Sequence, residues 1–164
     1  YNKFIDTNLI LRNVEICHKI GIRTGCFIIT GLYVETDEDY ALTKNYVKQL
    51  AKAGLDEAVV FPMLPYPNTP LTKKYFADID PVLLEQDSGA NMNDLPSWYP
   101  DREKANRKIA GLYKTFYLYK RLYHPISQLR MCKNILISKQ ETKTERSALA
   151  LISRFLGITP KATA

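Results

Sequence analysis

Two loops in the sequence carry residues that could bind a ligand, and each follows a short apolar run. The run at 26–30 ends at Gly31, which opens the loop GLYVET. The run at 58–61 leads into the proline-rich loop MLPYPNTP at 63–70. In α/β proteins, ligands bind in the loops at the carboxyl ends of parallel strands, and glycine there lets the backbone approach a ligand closely. The second loop can wall a pocket because prolines fix its backbone, or it can be a stiff connector without a ligand.

The cysteines, the acids and the histidine of the first helix do not form a recognisable metal-ligand pattern. Cys17, Cys26 and Cys132 lie far apart, and the chain has no CxxC or CxxxC spacing. This usage predicts reduced cysteines in a cytoplasmic protein, and it offers no cluster bound by cysteines of this chain. The acids at 37–39 are typical of a helix start, where they oppose the positive end of the helix dipole, and His18 suits a helix end for the converse reason. As metal ligands they would need partners from elsewhere in the chain.

The pattern around the loops predicts alternating helices and strands. A helical spacing of apolar residues runs over 4–20, with Asp6 or Thr7 as its cap and Gly21 as its left-handed end. Thr36 with Asp39 predicts a capping-box start for a second helix, and Gly54 follows its last turn.

The apolar runs at 26–30 and 58–61 are continuous rather than alternating, which favours strands covered on both faces of a parallel sheet. A short helix is predicted over 71–76. Strand, helix and strand in this order are typical of an α/β fold.

The second half of the chain predicts an irregular connector followed by helices. Periodicity fades over 77–100, where Trp98 is expected to anchor the segment, although Trp98 and Tyr99 could instead edge a substrate opening. A helix is predicted from Asp101 to Tyr123, where His124-Pro125 ends it. A second amphipathic helix and a third follow, the third ending at Gly157. The apolar stripe of the second helix contains Ile126, Leu129, Cys132, Ile135 and Leu136.

Charge divides the chain into two parts with different surfaces. Residues 1–100 carry 9 Lys/Arg and 13 Asp/Glu, whereas residues 101–164 carry 14 and 4, so the net charges are −4 and +10. The basic helix at 102–123 is interpreted as packing its aromatic stripe inward with its lysines in water. Peripheral contact with an anionic membrane is the alternative, and nucleic acid is not the expected partner.

No apolar run reaches the roughly 18 residues of a membrane span. The start at Tyr1, rather than Met, suggests a piece of a longer protein.

Both loops resemble motifs of one enzyme family. The stretch IRTGCFIITGLYVETDEDYALTKNYVKQL, followed by LDEAVVFPMLPYPNTPL, resembles the later half of the radical S-adenosylmethionine (SAM) barrel. Members of that family carry a GLPGET-type turn and a PYPGTPL-type turn at similar separation. Here Tyr33 and Val34 replace Pro-Gly in the first turn, and Asn68 replaces Gly in the second. Asn tolerates a left-handed backbone, so we expect the second turn to be preserved. The segment FYLYKRLYHP also resembles the helix after the barrel in cobalamin-associated members, such as the anaerobic magnesium-protoporphyrin monomethyl ester cyclase group.

The resemblance implies a fold and a division of the chain. The fold is α/β, the C-terminal portion of an open (β/α)6 partial TIM barrel followed by an α-helical extension. The implied parts are barrel at 1–76, irregular connector at 77–100 and basic helical extension at 101–164.

The resemblance also implies an activity and a site. The intact protein would reductively cleave SAM at a [4Fe-4S] cluster to start radical chemistry on a small-molecule substrate. The cluster ligands would lie outside this chain, a reductant protein would supply the electron, and an upstream domain could carry cobalamin. No catalytic residue or metal ligand of this chain is implied. The residues implied to face or order the SAM site are Ile29, Gly31, Glu35, Phe61, Met63 and Leu64. The alternatives are a barrel-derived binding module without catalysis, and a helical extension that binds a membrane surface or a partner.

Overall fold

The structure, a computed structural model, describes residues 5–32, 34–80, 82, 99, 101–139 and 141–155. Its strands are β1 (Gly25–Thr30) and β2 (Glu57–Pro62). Its helices are α1 (Thr7–Lys19), α2 (Asp37–Ala53), α3 (Pro70–Tyr75), α4 (Arg102–Tyr123), α5 (Pro125–Leu136) and α6 (Lys143–Phe155). The predicted order of these elements is confirmed, with ends that differ from the expected ones by a few residues. Trp98 and the predicted end of the last helix at Gly157 lie outside the described residues.

The two strands pair side by side and run parallel. The backbone N–H of Glu57 donates to Thr24, and that of Met63 donates to Thr30, so the register keeps a constant offset of 33 residues (57 − 24 and 63 − 30). A constant offset is the mark of a parallel pair. The α/β class is therefore confirmed, with α2 as the crossover between the strands.

The sequence signals for helix ends are realised in the backbone. Asp6 accepts from the N–H groups of Asn8 and Leu9 at the start of α1. Thr36 and Asp39 exchange bonds as a capping box: Asp39 accepts from the Thr36 N–H at 3.0 Å, and the Thr36 hydroxyl accepts from the Asp39 N–H at 3.1 Å. Gly54 has φ +99°, the left-handed conformation expected after α2. These helix ends were predictable because each depends on residues within a few positions.

The expectation that β1 is covered on both faces is wrong for the described part of the chain. Ile28 and Thr30 are buried, but Phe27 is 75% exposed and Ile29 is 58% exposed. Successive side chains of a strand point to opposite faces, so β1 has one covered face and one open apolar face. Continuous apolar sequence shows that both faces suit an apolar environment, but it cannot show which segments supply the cover.

The chain forms two compact units that interleave along the sequence. The first unit contains Tyr1–Cys26, Lys48–Ala58 and Phe116–Ala164, and the second contains Phe27–Val47 and Val59–Thr115. The apolar core of the first unit includes Val14, Leu50, Leu55 and Phe116. That of the second includes Ile28, Val47, Val60, Phe76 and Leu112. The inward packing predicted for the apolar stripe of α4 is confirmed at Leu112 and Phe116, which are both fully buried. The expectation that the lysines of this helix lie in water is wrong for Lys120, which is 5% exposed. The division into parts at 76 and 100 stays a prediction.

Candidate functional site

The loop after β1 is built around the carboxylate of Glu35, in the second unit. The Thr30 hydroxyl donates to this carboxylate at 3.0 Å, and the Gly31 N–H donates to it at 3.2 Å. The Glu35 side chain is only 5% exposed. The carboxylate therefore accepts hydrogen bonds from two donors at the end of β1, where pairing with the neighbouring strand stops and no longer provides backbone acceptors. This geometry is that of a residue that orders the turn.

Lys108, on α4, neutralises the buried carboxylate. Its ammonium lies 2.7 Å from Oε2 of Glu35, and its side chain is 11% exposed. The ammonium also lies over the ring of Tyr40, 5.2 Å from the ring centroid, and the Tyr40 hydroxyl donates to the backbone carbonyl of Lys108 at 2.9 Å. A buried carboxylate without a cationic partner would destabilise the fold, so the loop depends on Lys108 for its stability.

Tyr99 closes the other side of Gly31. Its hydroxyl donates to the Gly31 carbonyl at 2.6 Å, and the residue is 6% exposed. Burial, with a smaller contribution from the charge of Glu35, raises the pKa of Tyr99 to about 12. Gly31 has φ +79°, and a Cβ placed there would lie 2.7 Å from the Tyr99 hydroxyl oxygen. The space left by the missing side chain of Gly31 is thus occupied by the Tyr99 hydroxyl of the same chain.

These groups line a cavity of about 200 Å³. Its polar lining combines the Glu35 carboxylate with the ammonium groups of Lys104 and Lys108 and the phenol of Tyr99, and its apolar lining includes Leu32 and Phe76. Of these groups, Glu35, Lys108 and Tyr99 already hold bonds that order the loop. Asp101 also lines the cavity, and the Lys104 ammonium lies 4.0 Å from Oδ1 of Asp37. The cavity can admit a small polar molecule.

The second predicted loop is held by threonines. Thr69 caps α3 by accepting from the Thr72 N–H at 3.2 Å, and both threonine hydroxyls donate to the carbonyl of Tyr66. Asn68 has φ +63°, so the left-handed turn expected at this position is confirmed. The loop is therefore a rigid continuation of β2, as its prolines indicate.

The six sequence-predicted site residues fall into separate groups. Gly31 and Glu35 are bonded to each other on the covered side of β1, where Glu35 also binds Thr30. Ile29 lies on the open face, as does Phe61, whose ring centroid is 5.4 Å from that of Phe27. The Met63 N–H donates to the Thr30 carbonyl at 2.9 Å. Leu64 packs on Tyr99 and Ala105. The turn and the open apolar face are thus two distinct surfaces at the end of the strands.

Sequence reasoning missed Lys108 and gave Tyr99 only an edge role. Lys108 lies 73 positions from Glu35, among other basic residues on α4. Its periodicity is that of a solvated helix face, and no local pattern distinguishes it from Lys104 or Lys114. Only the packing of α4 beside the loop identifies it.

A second cavity, of about 370 Å³, lies in the first unit. His18 and His124 line it, with ring centroids 4.5 Å apart, and Arg23 and Arg130 add positive charge. Asp56 also lines it, but the Arg23 guanidinium and the Thr24 N–H bind that carboxylate. The lining suits a small polar ligand and has no catalytic arrangement of groups that we recognise.

Within the described ranges, no group of three or more His, Cys, Asp or Glu side chains is placed to hold a metal ion. Burial raises the pKa of Cys26, which disfavours its thiolate. Among the helices that the structure describes, none combines the length and apolar character needed to cross a bilayer.

No family model matches this chain, and neither a curated protein nor a solved structure matches it at a significant level of similarity.

Proposed function

We propose that this chain is the SAM-facing part of a radical SAM enzyme, the later portion of an open (β/α)6 barrel. The observation that carries the proposal is the open apolar face at the carboxyl ends of two parallel strands. Ile29 is 58% exposed there, beside a loop held by Glu35. In a barrel, one face of each strand is covered by helices and the other faces the interior. The interior face of a barrel strand is apolar, and it would be exposed to solvent in the absence of the remaining strands of the barrel.

The residues fit SAM unequally. Ile29, Phe61 and Met63 would hold the adenine ring, because they offer apolar side chains that are exposed or half-buried. Gly31 would not receive the ligand closely, since its N–H and carbonyl already bind Glu35 and Tyr99. Glu35 and Tyr99 would fix the loop rather than touch the ligand. When bound at a reduced [4Fe-4S] cluster, SAM would accept one electron and supply the radical that starts chemistry on the substrate.

The cluster itself is proposed to lie on a part of the polypeptide outside this chain. A reductant protein, a small-molecule substrate and an upstream cobalamin domain belong to the same proposal. Anaerobic reconstitution of the 164-residue chain with iron and sulfide should leave no stable four-iron cluster. A stable brown protein with four irons per chain would contradict this placement of the ligands.

SAM binding can be tested on the chain with isotopically labelled isoleucine methyl groups. Added SAM should shift the methyl resonance of Ile29, and Ile29→Asp should weaken binding about tenfold or more. Leu42→Asp is the matched control, because Leu42 is 70% exposed on α2 in the same unit. If SAM shifts no Ile29 signal and Ile29→Asp binds it as well as the original chain does, the proposed SAM surface is wrong.

A non-catalytic binding module is the second candidate. It is favoured by the occupation of the Gly31 backbone by Tyr99 and by the Tyr33-Val34 replacement in the turn. The coding sequence upstream of Tyr1 separates the two candidates. A CxxxCxxC motif there supports the enzyme, and its absence from the native protein would leave only the binding module.

A further inference from the structure

Helix α5 buries one polar residue, Asn134, beside the half-buried side chains of Met131 and Ile135, and it exposes a second, apolar side. Asn134 is 4% exposed, and its amide donates to Oε1 of Glu145 at 2.9 Å. Glu145 is 1% exposed, and its other oxygen accepts from the N–H groups of Glu141 and Thr142. The contact with the start of α6 is thus made by a hydrogen-bonded polar network within the first unit.

The opposite side of α5 carries large apolar residues in contact with water. Ile126 is 79% exposed, Leu129 is 69% exposed and Leu136 is 85% exposed. Positions 126, 129, 133, 136 and 137 are separated by steps that return to the same side of a helix. We call this surface the α5 outer face: Ile126, Leu129, Lys133, Leu136 and Ile137. A contiguous exposed apolar surface of this kind marks an interaction site.

We propose that the α5 outer face docks on the surface of an anionic lipid bilayer. The charge of the surrounding sequence favours this occupant. In the first unit, residues 116–155 contain eight Lys/Arg and two Asp/Glu, although Lys120 is buried beside Asp56. A basic helix with one apolar side lies in the membrane interface, with its apolar side chains among the lipid chains and its cations at the headgroups.

Lys133 distinguishes a bilayer from a protein partner. It lies within the α5 outer face, between Leu129 and Leu136, and it is exposed. Lysine is depleted in the cores of protein interfaces, where its charge must be desolvated. At a bilayer, the same side chain can extend to the headgroup region while its neighbours enter the apolar layer. Arg130, also exposed, lies beside the face, but its guanidinium is 3.1 Å from Oε2 of Glu141, so part of its charge is balanced within the chain. This proposal is independent of SAM chemistry.

Co-sedimentation of the chain with lipid vesicles tests the proposal. Vesicles of phosphatidylcholine with about 30% phosphatidylserine should bind the chain, whereas phosphatidylcholine alone should bind it weakly. Ile126→Asp with Leu129→Asp should abolish binding, and Lys133→Gln should weaken it about fivefold. Leu42→Asp, which alters an equally exposed leucine of the other unit, should bind as the original chain does. Circular dichroism should show unchanged helix content in each variant.

Two outcomes would overturn the proposal. One is an absence of binding to phosphatidylserine vesicles at low salt. The other is a dimer in sedimentation equilibrium that the Ile126→Asp/Leu129→Asp variant dissociates while vesicle binding is unchanged, which would assign the α5 outer face to a second copy of the chain.

Discussion

The ammonium of Lys108 lies 2.7 Å from the Oε2 atom of Glu35, although the two residues are 73 positions apart. Glu35 belongs to the loop after β1, and Lys108 belongs to α4. Both side chains are nearly excluded from water, so each charge depends on the other. The loop that resembles a SAM-binding turn therefore keeps its shape through a helix of the predicted C-terminal extension.

Removing one member of this pair should destabilise the chain strongly. Glu35→Gln leaves the Lys108 ammonium buried without a carboxylate, and losses of about 3–5 kcal/mol are typical of such a change. Lys108→Met should cost a similar amount because it leaves the carboxylate unpaired. Denaturant unfolding of both variants measures these free energies.

The double variant and an exposed ion pair supply the controls. Glu35→Gln with Lys108→Met removes both charges, and its loss should be smaller than the sum of the two single losses. Glu103→Gln breaks the exposed pair with Arg107 and should change the free energy of unfolding by less than about 1 kcal/mol. Additive losses at Glu35 and Lys108 would contradict direct coupling.

The Tyr99 phenol should release its proton unusually late. Its pKa is raised to about 12 by burial, whereas an unfolded tyrosine titrates near 10. Between these values the folded state holds more protons than the unfolded state, so the contribution of Tyr99 to stability is complete below about pH 10 and is lost as the pH rises to about 12. A tyrosine Cζ carbon signal that still has not titrated at pH 11 should be absent in Tyr99→Phe. It should remain in Tyr66→Phe, which removes an exposed phenol.

Local chemistry made part of this architecture predictable. The Thr36–Asp39 capping box, the left-handed Asn68 and the α4 packing stripe each follow from residues within a few turns of one another. The role of Glu35 in the turn was implied by the family resemblance, and its bonds to Thr30 and Gly31 are local contacts of the same kind.

Long-range pairing was not predictable by the same means. No sequence pattern predicts that Lys108 contacts Glu35 or that Tyr99 contacts Gly31. The exposed side of β1 was wrongly predicted to be covered. Its apolar composition is typical of a buried face, but composition does not show whether another segment packs against it. The exposed side of α5 was missed for a related reason: its apolar residues were visible, but the sequence did not show that Asn134, which donates to Glu145, would face inward.

Lys120 should make stability increase with pH above neutrality. It is 5% exposed, its ammonium donates to the Asp56 carbonyl, and burial lowers its pKa to about 8 against partial compensation by the Asp56 charge. An unfolded lysine titrates near 10.4, so between about pH 8 and 10.4 the unfolded state binds more protons. The free energy of unfolding should therefore rise over this interval, by up to about 3 kcal/mol from this group.

The Lys120→Met variant isolates that contribution. The difference in unfolding free energy between the original chain and Lys120→Met should grow in favour of the original chain from pH 8 to pH 10. Lys114→Met, at an exposed position of the same helix, should show no such trend. A constant difference for Lys120→Met would mean that the Lys120 ammonium titrates as it does in water.

Gly54→Ala should destabilise the first unit more than Gly21→Ala. Both glycines have positive φ, +99° and +80°, so an alanine at either position costs about 1–2 kcal/mol of backbone strain. A Cβ at Gly21 would meet no atom within 4 Å, whereas one at Gly54 would lie 2.6 Å from Nδ1 of His18. This overlap should add about 1–3 kcal/mol, a difference that thermal unfolding resolves as several degrees. His18→Ala in the Gly54→Ala background should reduce the difference between the two sites. Equal losses for the two alanine variants would instead show that the His18 ring turns aside without cost, and that backbone strain alone makes glycine necessary after α2.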